Sequence, residues 1–148
     1  TIDNAKKIGL EVIYSDTDSV FVNNDADKIR QLSEKVGKEI GLEIAPDKIY
    51  TRILFTEAKK KYCGLLPDGK LDIVGLEVVR GDWANCAKNV QEKVLELVLK
   101  DQALGEAAEF VRKFIVDLRQ KEVPYRDLII WKTLTKPAEE YEVRAPHV

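Results

Sequence analysis

Apolar residues along the chain follow two patterns: short continuous runs, and longer stretches in which they recur every three or four positions. The runs are strand-like and cover residues 10–13, 20–22, 49–55, 60–66 and 71–79. The first two flank the polar segment 15–19, which is typical of a hairpin with polar side chains at its turn. Pro67, Asp68 and Gly69 provide turn residues between the last two runs. The pattern therefore predicts antiparallel strand pairing.

Four stretches have the period of helices with one apolar face. Their apolar stripes are Ile2, Ala5 and Ile8; Ile29, Leu32, Val36 and Ile40; Trp83, Ala87, Val90, Val94 and Leu97; and Leu104, Ala108, Val111, Ile115 and Leu118. Gly9 and Gly41 end the first two helices, Asp82 is the predicted N-cap of the third, and Pro124 breaks the helical run after the fourth. Together with the strands, these helices predict an α+β fold.

Composition is that of a folded globular protein. The chain has 148 residues, of which 45% are hydrophobic and 34% charged, enough for a hydrophobic core. The 24 Lys and Arg residues nearly balance the 26 Asp and Glu residues, so any contact with nucleic acid must depend on a local cluster of positive charge. The absence of an apolar run of about 18 residues and of a secretory leader predicts a cytoplasmic protein with no membrane partner.

Five residues of reactive or aromatic type are predicted to have no catalytic role. Cys63 and Cys86 lack the spacing of metal ligands and are predicted to be reduced thiols that pack in the interior. Trp83 and Trp131 occur on apolar stretches and are predicted to be core anchors. His147 is the only histidine and lies near the end of the sequence, which argues against a catalytic triad or a histidine metal site.

The chemistry of the sequence is concentrated in one predicted turn. Asp16 and Asp18 are separated by one residue and would place two carboxylates at one rim of a sheet. Carboxylate oxygens are the protein ligands that Mg²⁺ prefers, so the pair predicts a metal platform. The alternative is that aspartate, threonine and serine occur here because they favour turns. The apolar strands on both sides favour the metal platform.

Three motifs together resemble the family B DNA polymerases. The segment 12–20, centred on Tyr14-Ser15-Asp16-Thr17-Asp18-Ser19, resembles motif C of that family. Lys59-Lys60-Lys61-Tyr62 resembles its lysine–tyrosine motif, and the segment 75–83 resembles its Gly-Leu-Glu-x-Val-Arg-Arg-Asp-Trp segment, in the family order. The segments 134–136 and 146–148 resemble the thumb of archaeal members. The resemblance implies that residues 1–81 are the C-terminal half of the polymerase palm and residues 82–148 the N-terminal part of the thumb.

Two positions depart from the family pattern. Gly81 stands where the family usually has a second arginine, and Val74 stands where a basic residue often precedes the Gly-Leu-Glu segment. Both departures remove a possible contact to a phosphate of the nucleic acid. The two aspartates of motif C are unchanged.

The resemblance also implies the catalytic site. Asp18 would be a direct ligand of two catalytic Mg²⁺ ions, shared with an aspartate of motif A, and Asp16 a supporting carboxylate. Tyr14, Thr17 and Ser19 would support the motif C turn. The reaction implied is nucleotidyl transfer by the two-metal mechanism.

The remaining implied site residues would contact primer–template DNA: Lys59, Lys60, Lys61, Tyr62, Arg80 and Lys136. Strand alternation predicts that Lys60 and Tyr62 share one face, while Lys59 and Lys61 share the other. The alternative is an exposed edge strand that its lysines protect from aggregation.

Motifs A and B of the family are absent from the sequence. The chain is therefore expected to be inactive alone and to need the remaining polymerase portion, with deoxynucleoside triphosphates and DNA as substrates and a sliding clamp as a further possible partner. Thr1 would lie between motifs B and C, and Val148 would lie inside the thumb. A split gene, proteolysis or the design of a fragment would each produce such ends. Two other functions stay open: a glycosyltransferase with an Asp-x-Asp metal site, which would not predict the lysine motif, and a non-catalytic DNA-binding or assembly module.

Overall fold

The computed structural model describes residues 1–17 and 19–142 and has the predicted α+β architecture. The helices are α1 (Ile2–Lys7), α2 (Ala26–Ile40), α3 (Asn85–Leu99), α4 (Leu104–Arg119) and α5 (Tyr125–Leu128). The strands are β1 (Val12–Ser15), β2 (Val20–Val22), β3 (Arg52–Phe55), β4 (Tyr62–Leu65) and β5 (Leu71–Val74). Two short 3₁₀ turns cover Glu77–Val79 and Ala138–Glu140.

The strands form two antiparallel sheets. β1 and β2 make the predicted hairpin, with Tyr14 opposite Phe21 and an irregularity in register between Val12 and Tyr14. β3, β4 and β5 form a three-stranded sheet in that order, with Phe55 opposite Tyr62. Antiparallel pairing is thus confirmed in both sheets.

Each sheet has its own hydrophobic core. Behind the hairpin, α1 and α2 contribute buried residues to a core of Ala5, Leu10, Leu32 and Val36. Behind the three-stranded sheet, α3 contributes to a core of Cys63, Leu65, Leu76, Leu95 and Leu99. Burial of each large aliphatic side chain contributes roughly 1.5–3 kcal/mol to folding. The second core fixes α3 on the sheet that carries the lysine–tyrosine motif.

The α2 helix follows its sequence pattern closely. Leu32 and Val36 of its apolar stripe are buried, and Gly41 ends the helix with φ 73°, a left-handed conformation that glycine adopts without a steric penalty. Asp25 is the N-cap, and its side chain accepts a hydrogen bond from the backbone N–H of Lys28 over 3.2 Å. This helix stabilises the hairpin from behind.

Three predicted strands are shorter than expected. The run 60–66 forms a strand only from Tyr62, because Lys60 has a left-handed backbone with φ 61°. The run 71–79 ends at Val74, because Gly75 has φ 65° and a 3₁₀ turn follows it. The run 49–55 forms a strand only from Arg52. A left-handed residue interrupts the extended backbone, which ends the regular ladder in the first two of these runs.

The predicted start of α3 is wrong. The helix begins after Ala84, which provides no side-chain cap, whereas Asp82 forms an ion pair with Arg80 instead of capping the helix. Trp83 therefore precedes the first helical turn and is 44% exposed, and Trp131 follows α5 and is 69% exposed. Neither tryptophan is a core anchor of this chain.

The two cysteines have the reduced, packed state that the sequence predicts. Cys63 and Cys86 are both free, and Cys63 is fully buried while Cys86 is half-buried. Burial raises the pKa of the Cys63 thiol to about 11, so Cys63 is a neutral packing residue. Within residues 1–17 and 19–142, no helix combines the length and the apolar character needed to cross a lipid bilayer.

Candidate functional site

The aspartate turn, residues 15–19, is closed by hydrogen bonds between its two ends. The backbone N–H of Asp16 donates to the carbonyl oxygen of Ser19 over 3.0 Å, and the Ser15 hydroxyl donates to the same oxygen over 3.2 Å. The hairpin thus presents the turn at its tip, as the sequence predicts. Asp18, the predicted direct metal ligand, lies outside the described residues.

Asp16 supports the turn with one carboxylate oxygen. Its Oδ1 accepts hydrogen bonds from the backbone N–H of Thr17 over 2.7 Å and from the Thr17 hydroxyl over 3.1 Å. The Lys60 ammonium lies 4.0 Å from the same oxygen. Among the described residues, no donor bonds to Oδ2, which leaves that oxygen available to a ligand.

The donor set around this turn fits a magnesium ion only in part. Across the described ranges, no group of three or more His, Cys, Asp and Glu side chains is arranged to hold a metal ion. Mg²⁺ commonly takes only one or two protein carboxylates and completes its shell with water and substrate phosphates. Asp16 with its available Oδ2, and Asp18 two residues later, are hard oxygen donors of the required kind. Further carboxylates would have to come from another segment.

An aromatic cluster fixes the hairpin on the three-stranded sheet. The Tyr14 ring stacks on Phe55 with centroids 4.7 Å apart, and Phe21 meets Phe55 and Tyr62 edge-on, with both centroid distances 5.2 Å. Such pairs contribute about 0.5–1.5 kcal/mol each beyond their buried area. The cluster therefore holds the aspartate turn beside the lysine–tyrosine motif, a long-range arrangement that the sequence pattern did not reveal.

The lysine loop, residues 56–61, joins β3 to β4 next to the aspartate turn. The Thr56 hydroxyl donates to the Lys61 carbonyl oxygen over 2.9 Å and closes the loop. The backbone N–H of Lys60 donates to the Tyr14 hydroxyl over 3.2 Å. Lys59 and Lys60 are exposed. Because both lysines lie in this loop rather than on a strand, the predicted alternation of faces is wrong for them.

Lys61 has a different environment from its two neighbours. Its ammonium is ion-paired with Glu77, and the Gln91 amide donates to the other carboxylate oxygen of Glu77 over 2.8 Å. The Gln91 carbonyl oxygen accepts the backbone N–H of Val78 over 2.7 Å. Hydrogen bonds from Gln91 and Lys61 lower the pKa of Glu77 to about 2. The sequence carried no signal for Gln91, which is one polar residue on an amphipathic helix.

A second polar network centres on Asp72 of β5. The Tyr50 hydroxyl donates to Asp72, and the Lys48 ammonium donates to the same oxygen over 2.9 Å. Burial raises the pKa of Asp72, but hydrogen bonds from Tyr50 and Lys48 outweigh burial and leave that pKa lowered. Burial and the bond to Asp72 raise the pKa of Tyr50. The Tyr50 ring covers Gly64, where a Cβ would overlap it.

Arg80 and Lys136 lie further along the chain. The Arg80 guanidinium makes two hydrogen bonds to Asp82, 2.9 and 2.7 Å long, which lower the pKa of that carboxyl. Arg80 and Asp82 line an open groove of about 590 Å³ with Gly81, Trp131, Lys132 and Thr133. The Lys136 ammonium lies 4.8 Å from the centroid of the Tyr141 ring. Arg80 is therefore a paired cation that still borders an accessible groove.

Comparison with known proteins identifies relatives over the full sequence. The sequence model of DNA polymerase family B matches residues 1–148. DNA polymerase 2 of Aeropyrum pernix is 54% identical over 147 residues, which make up 99% of this chain and 18% of that protein. A DNA polymerase of Archaeoglobus fulgidus is 38% identical over 147 residues, or 97% of this chain and 19% of that protein.

A solved structure agrees with the sequence matches. The family B DNA polymerase from the hyperthermophilic archaeon Pyrobaculum calidifontis has a TM-score of 0.64 and 46% identity, over 99% of this chain and 19% of that one. This chain therefore spans about a fifth of the length of the relatives that it matches. With the motifs, the fold and the relatives in agreement, the chain belongs to DNA polymerase family B.

Proposed function

We propose that this chain is the part of a DNA-directed DNA polymerase that supplies the motif C aspartates and contacts to primer–template DNA. Residues 1–81 form the C-terminal half of the palm, and residues 82–148 form the N-terminal part of the thumb. The observation that carries this proposal is the contact between the aspartate turn and the lysine loop. A carboxylate turn beside an exposed lysine, as Asp16 is beside Lys60, suits the combination of metal-assisted phosphoryl transfer with binding of the nucleic-acid backbone.

The metal site of this proposal needs residues from two segments. Asp18 is the direct ligand and Asp16 the supporting carboxylate, with Tyr14, Thr17 and Ser19 shaping the turn. A motif A aspartate from the remaining polymerase portion completes the site. Two Mg²⁺ ions held there would neutralise the triphosphate and lower the pKa of the primer 3′-hydroxyl. Tyr14 contributes by fixing the turn on the lysine loop, and Asp16 by holding the backbone of Thr17.

The DNA surface of this proposal consists of exposed cations near the turn. Lys59 and Lys60 project from the lysine loop with Tyr62 beside them, and Arg80 and Lys136 extend the surface toward the thumb. The charges of the chain nearly balance, so these cations act locally and not through a general field. Contacts to the DNA backbone suit an enzyme that copies any sequence. Deoxynucleoside triphosphates, the portion with motifs A and B, and a sliding clamp are the other partners, in the cytoplasm.

Primer extension with and without the remaining polymerase portion tests the proposal. The purified chain alone should not extend a primer, and the assembled complex should. Within the complex, Asp18→Asn should abolish extension while leaving DNA binding nearly intact, because the lost charge acts on the metal ions. Asp16→Asn should have a milder effect, because Asp16 already bonds to the turn.

Three results would overturn parts of this assignment. Template-dependent synthesis by the chain alone would show that it does not depend on motif A. An assembled complex that binds DNA but whose primer extension is unchanged by Asp18→Asn would favour a non-catalytic binding module. A larger loss from Asp16→Asn than from Asp18→Asn would reverse the roles of the two aspartates.

A further inference from the structure

We propose that Lys61 is a positioning residue that fixes the lysine loop through Glu77 and Gln91, rather than a residue that contacts DNA. This inference rests on the proposed function, since it concerns how the loop presents Lys59 and Lys60 to primer–template DNA. The family resemblance places all three lysines on one DNA surface, whereas the structure separates Lys61 from the other two.

Exposure distinguishes Lys61 from Lys60. The Lys60 side chain is 66% exposed, whereas the Lys61 side chain is 30% exposed and its partner Glu77 is 19% exposed. A phosphate that approached the Lys61 ammonium would have to compete with the Glu77 carboxylate, which also bonds to Gln91. Removal of one partner from a shielded, hydrogen-bonded ion pair leaves the other charge uncompensated. The pair is therefore a structural link and not a reserve of positive charge for DNA.

The loop is fixed on both sides of Lys61. On one side, the Lys60 carbonyl oxygen lies so close to Gly75 that a Cβ there would overlap it. On the other side, the Thr56 hydroxyl bonds to the Lys61 carbonyl oxygen over 2.9 Å. Gly75 has φ 65°, which keeps the chain before the 3₁₀ turn against the loop. The Lys61 side chain then ties the same loop to Glu77 of that 3₁₀ turn.

Gln91 extends this link into α3. Its amide bonds to Glu77 over 2.8 Å, and its carbonyl oxygen accepts the backbone N–H of Val78 over 2.7 Å. Gln91 thus bonds to the first two residues of the 3₁₀ turn and connects them to a helix whose Leu95 and Leu99 are buried against the sheet. The position of the lysine loop therefore depends on the packing of α3, in the segment assigned to the thumb.

The variant Glu77→Gln separates the two roles of Lys61, because they predict opposite results. If Lys61 contacts phosphate, release from Glu77 should strengthen primer–template binding in the assembled polymerase. If Lys61 positions the loop, the same change should weaken binding by about fivefold, the effect of losing one hydrogen-bonded pair. Glu92→Gln is the matched control, since it removes the same charge from an exposed position on α3. Fluorescence anisotropy over a range of salt concentrations measures both affinity and salt slope.

Four further variants complete the test. Lys61→Gln should also weaken binding about fivefold with an unchanged salt slope, because no phosphate contact is lost. The double variant should lose no more than either single one, because both break one link. The charge exchange of Lys61→Glu with Glu77→Lys should restore part of the affinity that Lys61→Glu alone loses, because the ion pair re-forms although a lysine at position 77 cannot accept the Gln91 amide N–H. Gln91→Leu should raise hydrogen exchange of the loop amides in the complex, because it removes both bonds between α3 and the 3₁₀ turn.

The outcomes distinguish this inference from the proposed function. Tighter binding by Glu77→Gln, or a salt slope reduced by about one in Lys61→Gln, would overturn the positioning role and restore Lys61 as a phosphate contact. Unchanged hydrogen exchange in residues 56–61 of Glu77→Gln, Lys61→Gln and Gln91→Leu would also overturn it. Hydrogen exchange does not require DNA, so it decides the positioning role even if the assembled wild-type complex proves unable to bind primer–template DNA, a result that would count against the proposed function.

Discussion

The backbone N–H of Lys60 donates a hydrogen bond to the Tyr14 hydroxyl over 3.2 Å, although 46 residues separate the two positions in the chain. Tyr14 also stacks on Phe55, the last residue of β3. Its ring therefore contacts the residue before the lysine loop, and its hydroxyl contacts Lys60 within the loop. Motifs that are distant in sequence thereby form one surface. This bond and the aromatic cluster together hold the aspartate turn beside the cations proposed to contact DNA.

Tyr14→Phe tests that relationship. The ring can still stack on Phe55, but the Lys60 N–H loses its partner, which should reduce the free energy of unfolding by about 1 kcal/mol. Primer–template affinity of the assembled polymerase should fall as well, since the loop is less well fixed. Urea unfolding and fluorescence anisotropy measure the two effects. Tyr125→Phe is the control, because the Tyr125 side chain is 78% exposed; equal losses in both variants would contradict a specific role for the Tyr14 hydroxyl.

Lys60→Ala and Lys59→Ala test the direct contacts. Lys60 lies beside the aspartate turn, with its ammonium 4.0 Å from Asp16, so its removal should weaken binding by a similar factor for all DNA sequences and reduce the salt slope by about one. Lys59→Ala should have a smaller effect. Titration of the assembled complex with two unrelated primer–template duplexes provides the measurement. Equally small effects from both variants would instead support exposed lysines that only protect a sheet edge.

Gly81→Arg tests the departure from the family pattern. Apart from Gly81 and its two chain neighbours, no heavy atom of the described residues lies within 4 Å of the position where a Cβ of residue 81 would be, so a side chain can be added there without a clash at Cβ. The new arginine would stand next to Arg80 at the open groove and should add one phosphate contact. We expect tighter primer–template binding and a salt slope steeper by about one. Gly81→Ala is the control for the backbone change, and matching affinities of Gly81→Arg and Gly81→Ala would show that this position does not face DNA.

Glu77→Gln also predicts a change in acid stability. Hydrogen bonds from Gln91 and Lys61 lower the pKa of Glu77 from its ordinary 4.5 to about 2, so the folded state favours the ionised carboxylate. This contribution is present in full above the unfolded pKa and is lost as the pH falls from about 4.5 toward 2. The stability difference between wild type and Glu77→Gln should therefore shrink over that range. Thermal unfolding at several pH values measures this stability difference. If Glu92→Gln shows the same pH dependence, the network of Glu77, Lys61 and Gln91 is not its cause.

Local patterns were sufficient to predict most of the elements. Helical periodicity identified α2 and α4, and the polar segment between two apolar runs identified the hairpin, because each signal lies within a few consecutive residues. Boundaries were less predictable. Lys60 adopts a left-handed backbone because the Tyr14 hydroxyl and Gly75 constrain it from outside the loop. Such a constraint has no trace in the order of residues around Lys60.

The same distinction between local and long-range information applies to the candidate site. The motif resemblance indicated the aspartates and lysines as candidates, but not the aromatic cluster that holds the hairpin beside the lysine loop. Trp83 and Trp131 looked like core residues because sequence reports apolar character and not the neighbours that cover it. Gln91 was missed because one glutamine on a helix is ordinary until its two bonds to the 77–79 turn are known. Long-range partners, rather than residue types, were the information that the sequence could not provide.

The last prediction concerns the surface of the chain itself. Its accessible area is 10852 Å², whereas a compact monomer of 16.8 kDa should expose about 7,700 Å². Part of the excess is apolar: Ile13 of β1 is 54% exposed, and Ile115 and Leu118, three residues apart on α4, are each 41% exposed. Among the described residues, β1 pairs only with β2, so the other edge of β1 can accept a strand. A surface of this kind is expected to be covered by a partner.

We therefore expect the isolated chain to self-associate, and to form a soluble complex with the motif A and B portion over an interface of roughly 2,000 Å² or more. Ile13→Lys should reduce self-association and also weaken assembly, because a lysine on an open edge strand opposes pairing without opening the core. Glu92→Gln, on the exposed side of α3, should change neither. Light scattering and thermal melting, with and without the portion, decide the question. If the isolated chain is a monomer and its melting temperature does not change when that portion is added, the proposal of a palm shared by two segments is wrong and an independent module is favoured.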